Sequence, residues 1–378
     1  MSWDQYPAQK LANQKAWDKN RATWLTQLPD FLLVRDLSIP GTHDSSALQG
    51  YLYKNYERSV TQRWGIEDQL KNGLRFLDLR VAFDEKPWGL RMVHACDDIY
   101  DPTCHPVDTS KPYHYKAVIS TCARFLKQNP REGIIVSVKL DCGKDGGGEP
   151  VDPSRGFGGT VEDWFRQIAN EVAFDNHTTW DTMWDVRPTV NATVKDLRGK
   201  LLLWRRFERG GNYKGTLGLD LTALNYTYGD TEGAGWTTPD GAHVYAQDCY
   251  QCTAYNKFMR WCAIMWDAYN GRNIGSPNGD SQYINFTTVG GVPGINPPSH
   301  YAKPINDALK VWLEFWHAQC PQQQPAYCFR SGIGVVPMDF PTHENIDLLI
   351  NANFEKTLRF DNGDPSKQAF MTNAMKAL

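Results

Sequence analysis

The chain has 378 residues, with 40 Lys+Arg against 43 Asp+Glu for a formal net charge of −3, and it is 41% hydrophobic and 22% charged. This balance excludes a disordered or collagen-like chain and lacks the basic excess of a nucleic-acid binder. No run of about 18 apolar residues exists, so no transmembrane helix is expected; the unusual feature is the aromatic share, with 14 Trp, 17 Tyr and 16 Phe.

At about 150 residues per domain the length suggests two or three domains, although some α/β architectures exceed that size as one unit. The first twenty residues carry charges throughout and show no apolar stretch of the signal-peptide kind,. Either the protein stays inside or it leaves by a route that needs no leader; leaderless export with peripheral membrane contact is favoured, and the compartment stays open. Trp17, Trp24, Leu25 and Leu28 follow the spacing i, i+7, i+8, i+11. That amphipathic pattern predicts an N-terminal helical segment over residues 1–30 that packs on the rest of the chain.

Short apolar runs ending in polar residues then recur. They are residues 31–45 (FLLVRDLSIPGTHDS), 74–83, 90–95, 133–141, 200–207, 243–250 and 332–340. Helical patterns lie between several of them, over 115–130, 159–172 and 302–319. Strands alternating with helices imply α/β layering and a mainly parallel sheet.

The strand period adds chemistry. Leu77, Leu79 and Val81 share one face of their strand, with Phe76, Asp78 and Arg80 on the other,. Ser137, Lys139 and Asp141 likewise oppose Val136, Val138 and Leu140. Charges on strands with buried flanks are costly unless they pair or serve a ligand. Seven strand ends carry such groups: His43/Asp44, Asp78/Arg80, His94, Lys139/Asp141, Arg206, Asp248 and Asp339. Polar residues gathered at C-terminal strand ends mark the mouth of a (βα)8 barrel. The expectation is therefore a single distorted TIM barrel over residues 31–378. Residues 96–114, 142–158, 208–242 and 267–281, rich in Gly, Pro, Asn and Asp, read as long loop insertions.

Nine cysteines cannot all pair within one chain. Cys96/Cys104 and Cys320/Cys328 bracket short Pro-containing loops, as local disulfides would. Cys249 and Cys252 have CxxC spacing, but only Cys262 and His243 lie near enough in sequence to complete a zinc site, so a structural role is expected. Sequons at Asn176, Asn191, Asn225 and Asn285 fit an exported protein,.

The string SIPGTHDS reads as a strand that turns at Pro40-Gly41 and presents His43 and Asp44 at its mouth. With QLKNGLRFLDLRV (69–81) and the later VHA, it resembles the catalytic X region of phosphatidylinositol-specific phospholipase C, above all the small bacterial enzymes. TWLTQLPD (23–30), FLKQNPREGIIVSVK (125–139), GKLLLWRRF (199–207), VYAQDCY (244–250), YINFTTV (283–289) and VVPMDF (335–340) follow in that family's order, so the likeness spans about residues 20–355.

The resemblance implies cleavage of phosphatidylinositol, or a related inositol lipid, to diacylglycerol and inositol 1,2-cyclic phosphate. The chemistry needs a base and an acid near pKa 7, which histidine supplies. By motif match His43 is the base and His94 the acid. Arg80 stands where the eukaryotic enzymes use calcium, and a guanidinium forks onto two phosphate oxygens without a metal. No cofactor is therefore expected, and Arg80 disfavours calcium. Asp44 and Asp78 would support Arg80 and the leaving-group histidine, and Asp339 would fix the tautomer of the base. Lys139, Arg206 and Asp248 match residues that bind inositol hydroxyls, and Tyr250 one that stacks beneath the ring. Ala95 stands where the family usually has Gly. Asp97, Asp98 and Asp101 read as a solvated acidic turn rather than a calcium loop.

The partner implied is a phosphatidylinositol-type lipid at a membrane interface, met by a monomer, with Trp88 and Trp236 in loops as interface candidates. A metal-dependent glycerophosphodiester-type enzyme would show a His-Arg-Gly start and acids in place of Arg80. A catalytically silent lipid-binding barrel would not need His43, Asp44, Arg80 and His94 together.

Overall fold

Among the described residues nine strands run parallel in one curled sheet, and their order around the curl places almost every charged strand end on the same rim. A computed structural model of the chain describes residues 17–52, 59–83, 89–94, 96–141, 160–210, 213–226, 234–250, 252–271, 281–290, 296–319 and 332–354. In chain order the elements are β1 (Ser38–Thr42), α1 (Ile66–Lys71), β2 (Phe76–Phe83), β3 (Leu90–His94), β4 (Asp97–Asp98), α2 (Tyr115–Gln128) and β5 (Ile134–Leu140). Then come α3 (Val161–Asp175), α4 (Trp180–Met183), β6 (Trp184–Asp185), α5 (Val194–Leu197), β7 (Leu201–Arg206), β8 (Leu219–Asp220), β9 (Ala234–Thr237) and β10 (His243–Gln247). The last are α6 (Ala254–Gly271), β11 (Gln282–Asn285), α7 (Pro298–Gln319), β12 (Gly334–Met338) and α8 (His343–Asn351).

The ladder runs β6-β7-β5-β2-β1-β12-β11-β10-β9. Every pair from β6 to β10 is parallel, while β9 adds antiparallel to β10 and β3 antiparallel to the end of β2. Parallel neighbours joined by helices make this a distorted (βα)8 barrel. Among the described residues no ladder joins β9 or β10 to β7 or β8, which is where the barrel departs from closure.

Period-2 alternation divides the core. Leu77, Leu79, Val81, Val136, Val138, Leu201 and Leu203 face outward and pack under α2 and α3, through Val118, Ile119, Cys122, Phe125, Phe165 and Ile168. The apolar positions of α2 recur at i, i+1, i+4, i+7 and i+8, the stripe of a helix laid on a sheet,. α3 begins where Thr160 and Asp163 close a reciprocal capping box,. Ile39, Phe76, Ile135, Leu202, Trp204, Ile284 and Val336 belong to the other cluster and fill the barrel interior. The Phe76 and Trp204 rings meet at 5.6 Å, one layer below the polar strand ends.

Several expectations are corrected. Pro40 and Gly41 lie within β1 rather than in a turn. A Cβ at Gly41 would come 2.8 Å from the Phe76 side chain, so the glycine serves the close approach of β1 to β2. The chain turns instead at Asp44, which takes a left-handed φ of 42°, a conformation Asp tolerates better than most residues. The insertion 208–242 contains β8 and β9, and α6 runs into the stretch 267–281, because backbone pairing and packing outweigh loop-like composition. Trp236 accordingly sits in β9, half-buried against the core, and not in a loop. Cys104 is a free thiol while Cys96 is in a disulfide, so the two are not paired with each other. Asn285 is fully buried and Asn225 is engaged with Arg206, so neither sequon is an open acceptor. Trp88, Ala95, Cys142, Cys320 and Cys328 lie outside the described residues.

The end of the barrel opposite the polar rim is held by an ion pair. Residues 1–16 of the expected N-terminal helical segment lie outside the described residues; of the rest, residues 21–27 form two short 3-10 turns, and Trp17, Trp24, Leu25 and Leu28 are buried. Glu132, fully buried, accepts from Thr26 N and Oγ1 at 2.6 Å each and from Arg75 Nε at 2.9 Å. Arg75 donates further to the carbonyls of Leu70, Leu74 and Ala22. Replacing one partner strands a buried charge, so Glu132→Ala is expected to lower stability by about 3–5 kcal/mol. Glu67→Ala, which removes an exposed pair with Lys71, is expected to cost less than about 1 kcal/mol. Urea denaturation of both variants checks the contrast.

Candidate active site

β1, β2, β3, β5, β7, β10 and β12 each deliver charged residues to the same rim. Arg80 is the hub. From β2 its Nη2 donates to His43 Nε2 at 2.6 Å, its Nε to Asp78 Oδ2 at 3.3 Å, and its Nη1 to Asp141 Oδ2 at 3.3 Å. Asp44 Oδ2 lies 3.6 Å from the same Nε. Four side chains therefore share one guanidinium, and the surrounding carboxylates raise its affinity for its proton still further.

His43 is held on both ring nitrogens. Because Arg80 can only donate, Nε2 is the acceptor and the ring proton sits on Nδ1, which bonds Asp339 Oδ1 at 2.9 Å,. Asp339 reaches it because the chain after β12 turns at Phe340, with φ at 43°. The Phe286 ring stands edge-on to the imidazole with centroids 6.0 Å apart. Burial and the Arg80 charge push the proton affinity of His43 well below that of ordinary imidazole, so it is neutral. Burial drives Asp339 well above the ordinary carboxylate range, and nearby Lys257 and Arg80 oppose that shift.

His94, from the end of β3, donates through Nδ1 to Ser59 O at 2.5 Å, and the same nitrogen lies 3.5 Å from Asp44 Oδ2. Asp44 thus stands between Arg80 and His94. Its backbone N–H donates to Asp78 Oδ2 at 3.2 Å, while neither of its carboxylate oxygens has a hydrogen-bond donor among the described residues. Burial pushes it up to about 6 against the pull of His94 and Arg80.

On the far side of Asp78, Arg206 Nη1 donates to Oδ1 at 3.1 Å, and its Nε donates to Asn225 Oδ1 at 3.0 Å. Lys139 Nζ bonds Asp141 Oδ1 at 2.5 Å. Arg80 and Lys139 hold Asp141 far below the usual carboxylate range. Asp248 follows β10, buried, with one oxygen lacking a donor among the described residues. The structure therefore brings together His43, Asp44, Asp78, Arg80, His94, Lys139, Arg206 and Asp339 through direct contacts. Tyr250 is placed less closely: it is half-buried and its carbonyl accepts from Gly290 N at 2.9 Å.

Sequence reasoning assigned no role to Asp141, Asn225, Ser59, Phe286 or Lys257. The strand period puts Asp141 on the correct face, and Phe286 lies in the YINFTTV string. Asn225, Ser59 and Lys257 come from loops and a helix with no motif to mark them. His243, named with the CxxC pair, sits at the opposite end of β10 from Cys249. Asp97 accepts from Ser59 Oγ and Asp98 from Arg91 Nε, so both serve local bonds. Among the described residues no group of three or more His, Cys, Asp or Glu is arranged to hold a metal, and no helix is long and apolar enough to cross a membrane.

No protein-family model matches the chain. The 1-phosphatidylinositol phosphodiesterase of Staphylococcus aureus (strain Newman) is 24% identical over 299 residues, covering 77% of this chain and 83% of that protein. The protein of the same name from Listeria monocytogenes is 30% identical over 137 residues, 35% of this chain and 38% of its own. Among solved structures, a phosphatidylinositol-specific phospholipase C from Staphylococcus aureus gives a TM-score of 0.64 at 19% identity, over 90% of this chain and 99% of the other. The phosphatidylinositol-specific phospholipase C of Listeria monocytogenes gives 0.58 at 20% identity, over 88% and 98%. The barrel is theirs in fold, and the chain is a homologue of these bacterial proteins.

Asp44 supplies a test of the site's electrostatics. A carboxyl whose folded-state pKa is raised costs nothing below its unfolded value near 4 and its full penalty above about 6,. Asp44→Asn is therefore expected to raise stability at pH 7.5 by about 2–3 kcal/mol, with the gain vanishing by pH 4. Thermal melts of both proteins across that range check it, and a pH-independent difference would refute the assignment.

Proposed function

We infer that this chain cleaves phosphatidylinositol, or a closely related inositol lipid, between phosphorus and the glycerol oxygen. The products are diacylglycerol and inositol 1,2-cyclic phosphate. One observation carries the reading: a buried guanidinium that touches a neutral, aspartate-bound imidazole on one arm and leads through Asp44 to a second imidazole on the other. The names of the homologues supply the lipid class.

In the proposed reaction Arg80 Nη2 leaves His43 Nε2 for a non-bridging phosphoryl oxygen as the lipid enters, which frees that nitrogen to accept. The inositol 2-hydroxyl then attacks phosphorus while its proton passes to His43 Nε2, and Asp339 stabilises the imidazolium through Nδ1. The bond from phosphorus to the glycerol oxygen breaks, and that oxygen takes a proton from His94, whose Nδ1 is fixed by Ser59 O and Asp44. No water enters this step. His43 ends with one proton more and His94 with one fewer, and exchange with solvent resets both. Arg80 neutralises the charge that builds on the phosphoryl oxygens, the work a divalent cation would otherwise do. Asp78 braces Arg80 and Arg206, while Lys139, Arg206 and Asp248 line the inositol side, with Tyr250 as the proposed platform beneath the ring. A metal-dependent phosphodiesterase is the weaker reading, because the guanidinium already lies among Asp44, Asp78 and Asp141.

Diacylglycerol release from phosphatidylinositol vesicles is expected to be unchanged by EDTA, and abolition by chelation would overturn the role given to Arg80. In the same assay His43→Ala is expected to lose about 10²- to 10⁴-fold, and Arg80→Lys about 10²- to 10³-fold. Equal activity in His43→Ala would refute the mechanism.

The cations on the inositol side are already committed, Lys139 to Asp141 and Arg206 to Asp78. Unphosphorylated phosphatidylinositol is therefore expected to be cleaved faster than its 4,5-bisphosphate in mixed vesicles. The reverse order would show that the ring pocket carries more positive charge than this.

A further inference from the structure

Lys257 lies on α6, fully buried, and belongs to no motif. Its Nζ bonds Gln247 Oε1 and the Cys249 carbonyl at 3.0 Å each. Gln247 Oε1 also accepts from Cys249 N at 3.0 Å, while Gln247 Nε2 donates to Asn285 Oδ1 at 2.7 Å and Phe286 O at 2.6 Å. The ammonium therefore ties the end of β10, which carries Asp248, to the end of β11, which carries the Phe286 ring against His43. Both direct acceptors are neutral. A buried ammonium requires negative charge nearby, and the carboxylates that supply it are Asp248 and Asp339. The other charged groups acting on the His43–Asp339 pair are Asp44, Arg80, His94 and Arg206, all from strand ends.

We propose that Lys257 is a positioning residue of this site: through Gln247 and the Cys249 carbonyl it locks the ends of β10 and β11, and so Asp248 and the Phe286 ring, beside the base His43, and it places a buried positive charge on that side of the His43–Asp339 pair. Removing a cation from this surrounding makes the His43–Asp339 pair take up a proton more readily, because both its members gain proton affinity. The catalytic part of the proposal rests on the phosphodiesterase reading; the effect on His43 does not.

The test uses Lys257→Gln, which can still donate hydrogen bonds but carries no charge, beside Lys257→Met, which does neither. In each full-length variant the pH profile of kcat/KM on phosphatidylinositol vesicles is measured, and His43 is titrated by NMR of ¹⁵N-histidine-labelled protein. Both variants are expected to move the acid limb and the His43 midpoint up by about one pH unit. The accompanying loss in kcat/KM at pH 7 is expected to be about tenfold and to fall mainly on kcat. A Lys257→Gln protein with the wild-type limb and midpoint would overturn the proposal, and so would failure of both variants to fold, which would assign Lys257 to the core alone. Wild-type protein inactive on the lipid would refute the phosphodiesterase reading instead, and the His43 midpoint would still decide the role of Lys257.

Discussion

The Arg80 guanidinium, buried at the end of β2 and shared among His43, Asp78, Asp141 and Asp44, sets the terms for the rest of the rim. A permanent charge cannot shed its proton to escape a low-dielectric site, so the protein must surround it with anions. Those anions then need partners of their own. Asp78 takes Arg206, Asp141 takes Lys139, and Asp44 reaches toward His94. The network is the consequence of burying one permanent charge at the rim.

The scaffold beneath converts that chemistry into geometry. Parallel strands with period-2 alternation send Leu77, Leu79 and Val81 under the helices and Phe76, Asp78 and Arg80 into the barrel. The Phe76–Trp204 layer closes the interior just below the charges, which keeps water from screening them from underneath. Stability and chemistry occupy opposite ends: the Arg75–Glu132 pair ties the N-terminal turns to one, and the acids, bases and guanidinium crowd the other. Such separation is general to this fold. It allows the rim to hold strained features, Asp44 and Phe340 with left-handed φ, that a continuous strand could not,.

The sequence makes the rim legible to the extent that residues sit on regular strands. A strand needs only its alternation to say which side chains share a face, so Asp78 with Arg80 and Lys139 with Asp141 group together by spacing alone. Motif likeness adds His43 and His94, whose placement depends on turns that periodicity does not describe. Lys257 and Asn225 are invisible by either route, since each reaches the rim from a segment with no fixed spacing to the strands. The short strands β8 and β9 are missed for a related reason. Gly- and Asn-rich composition describes local preference, whereas these residues are held by pairing with β7 and β10. The Cys96–Cys104 expectation fails because spacing alone says nothing about which way two thiols point.

Charge balance at the rim links the two histidines. Arg80, Lys139, Arg206 and Lys257 face Asp44, Asp78, Asp141, Asp248 and Asp339, all buried. Four cations thus face five carboxylates, beside a neutral His43, in a site proposed to receive a phosphodiester anion. Among these carboxylates Asp44 has no donor to either oxygen among the described residues, and burial raises its pKa to about 6. In the proposed reaction the lipid phosphate draws Arg80 toward itself, which leaves Asp44 facing His94, whose Nδ1 lies 3.5 Å from Asp44 Oδ2. Asp44 thus links the Arg80–His43 side of the rim to the His94 side.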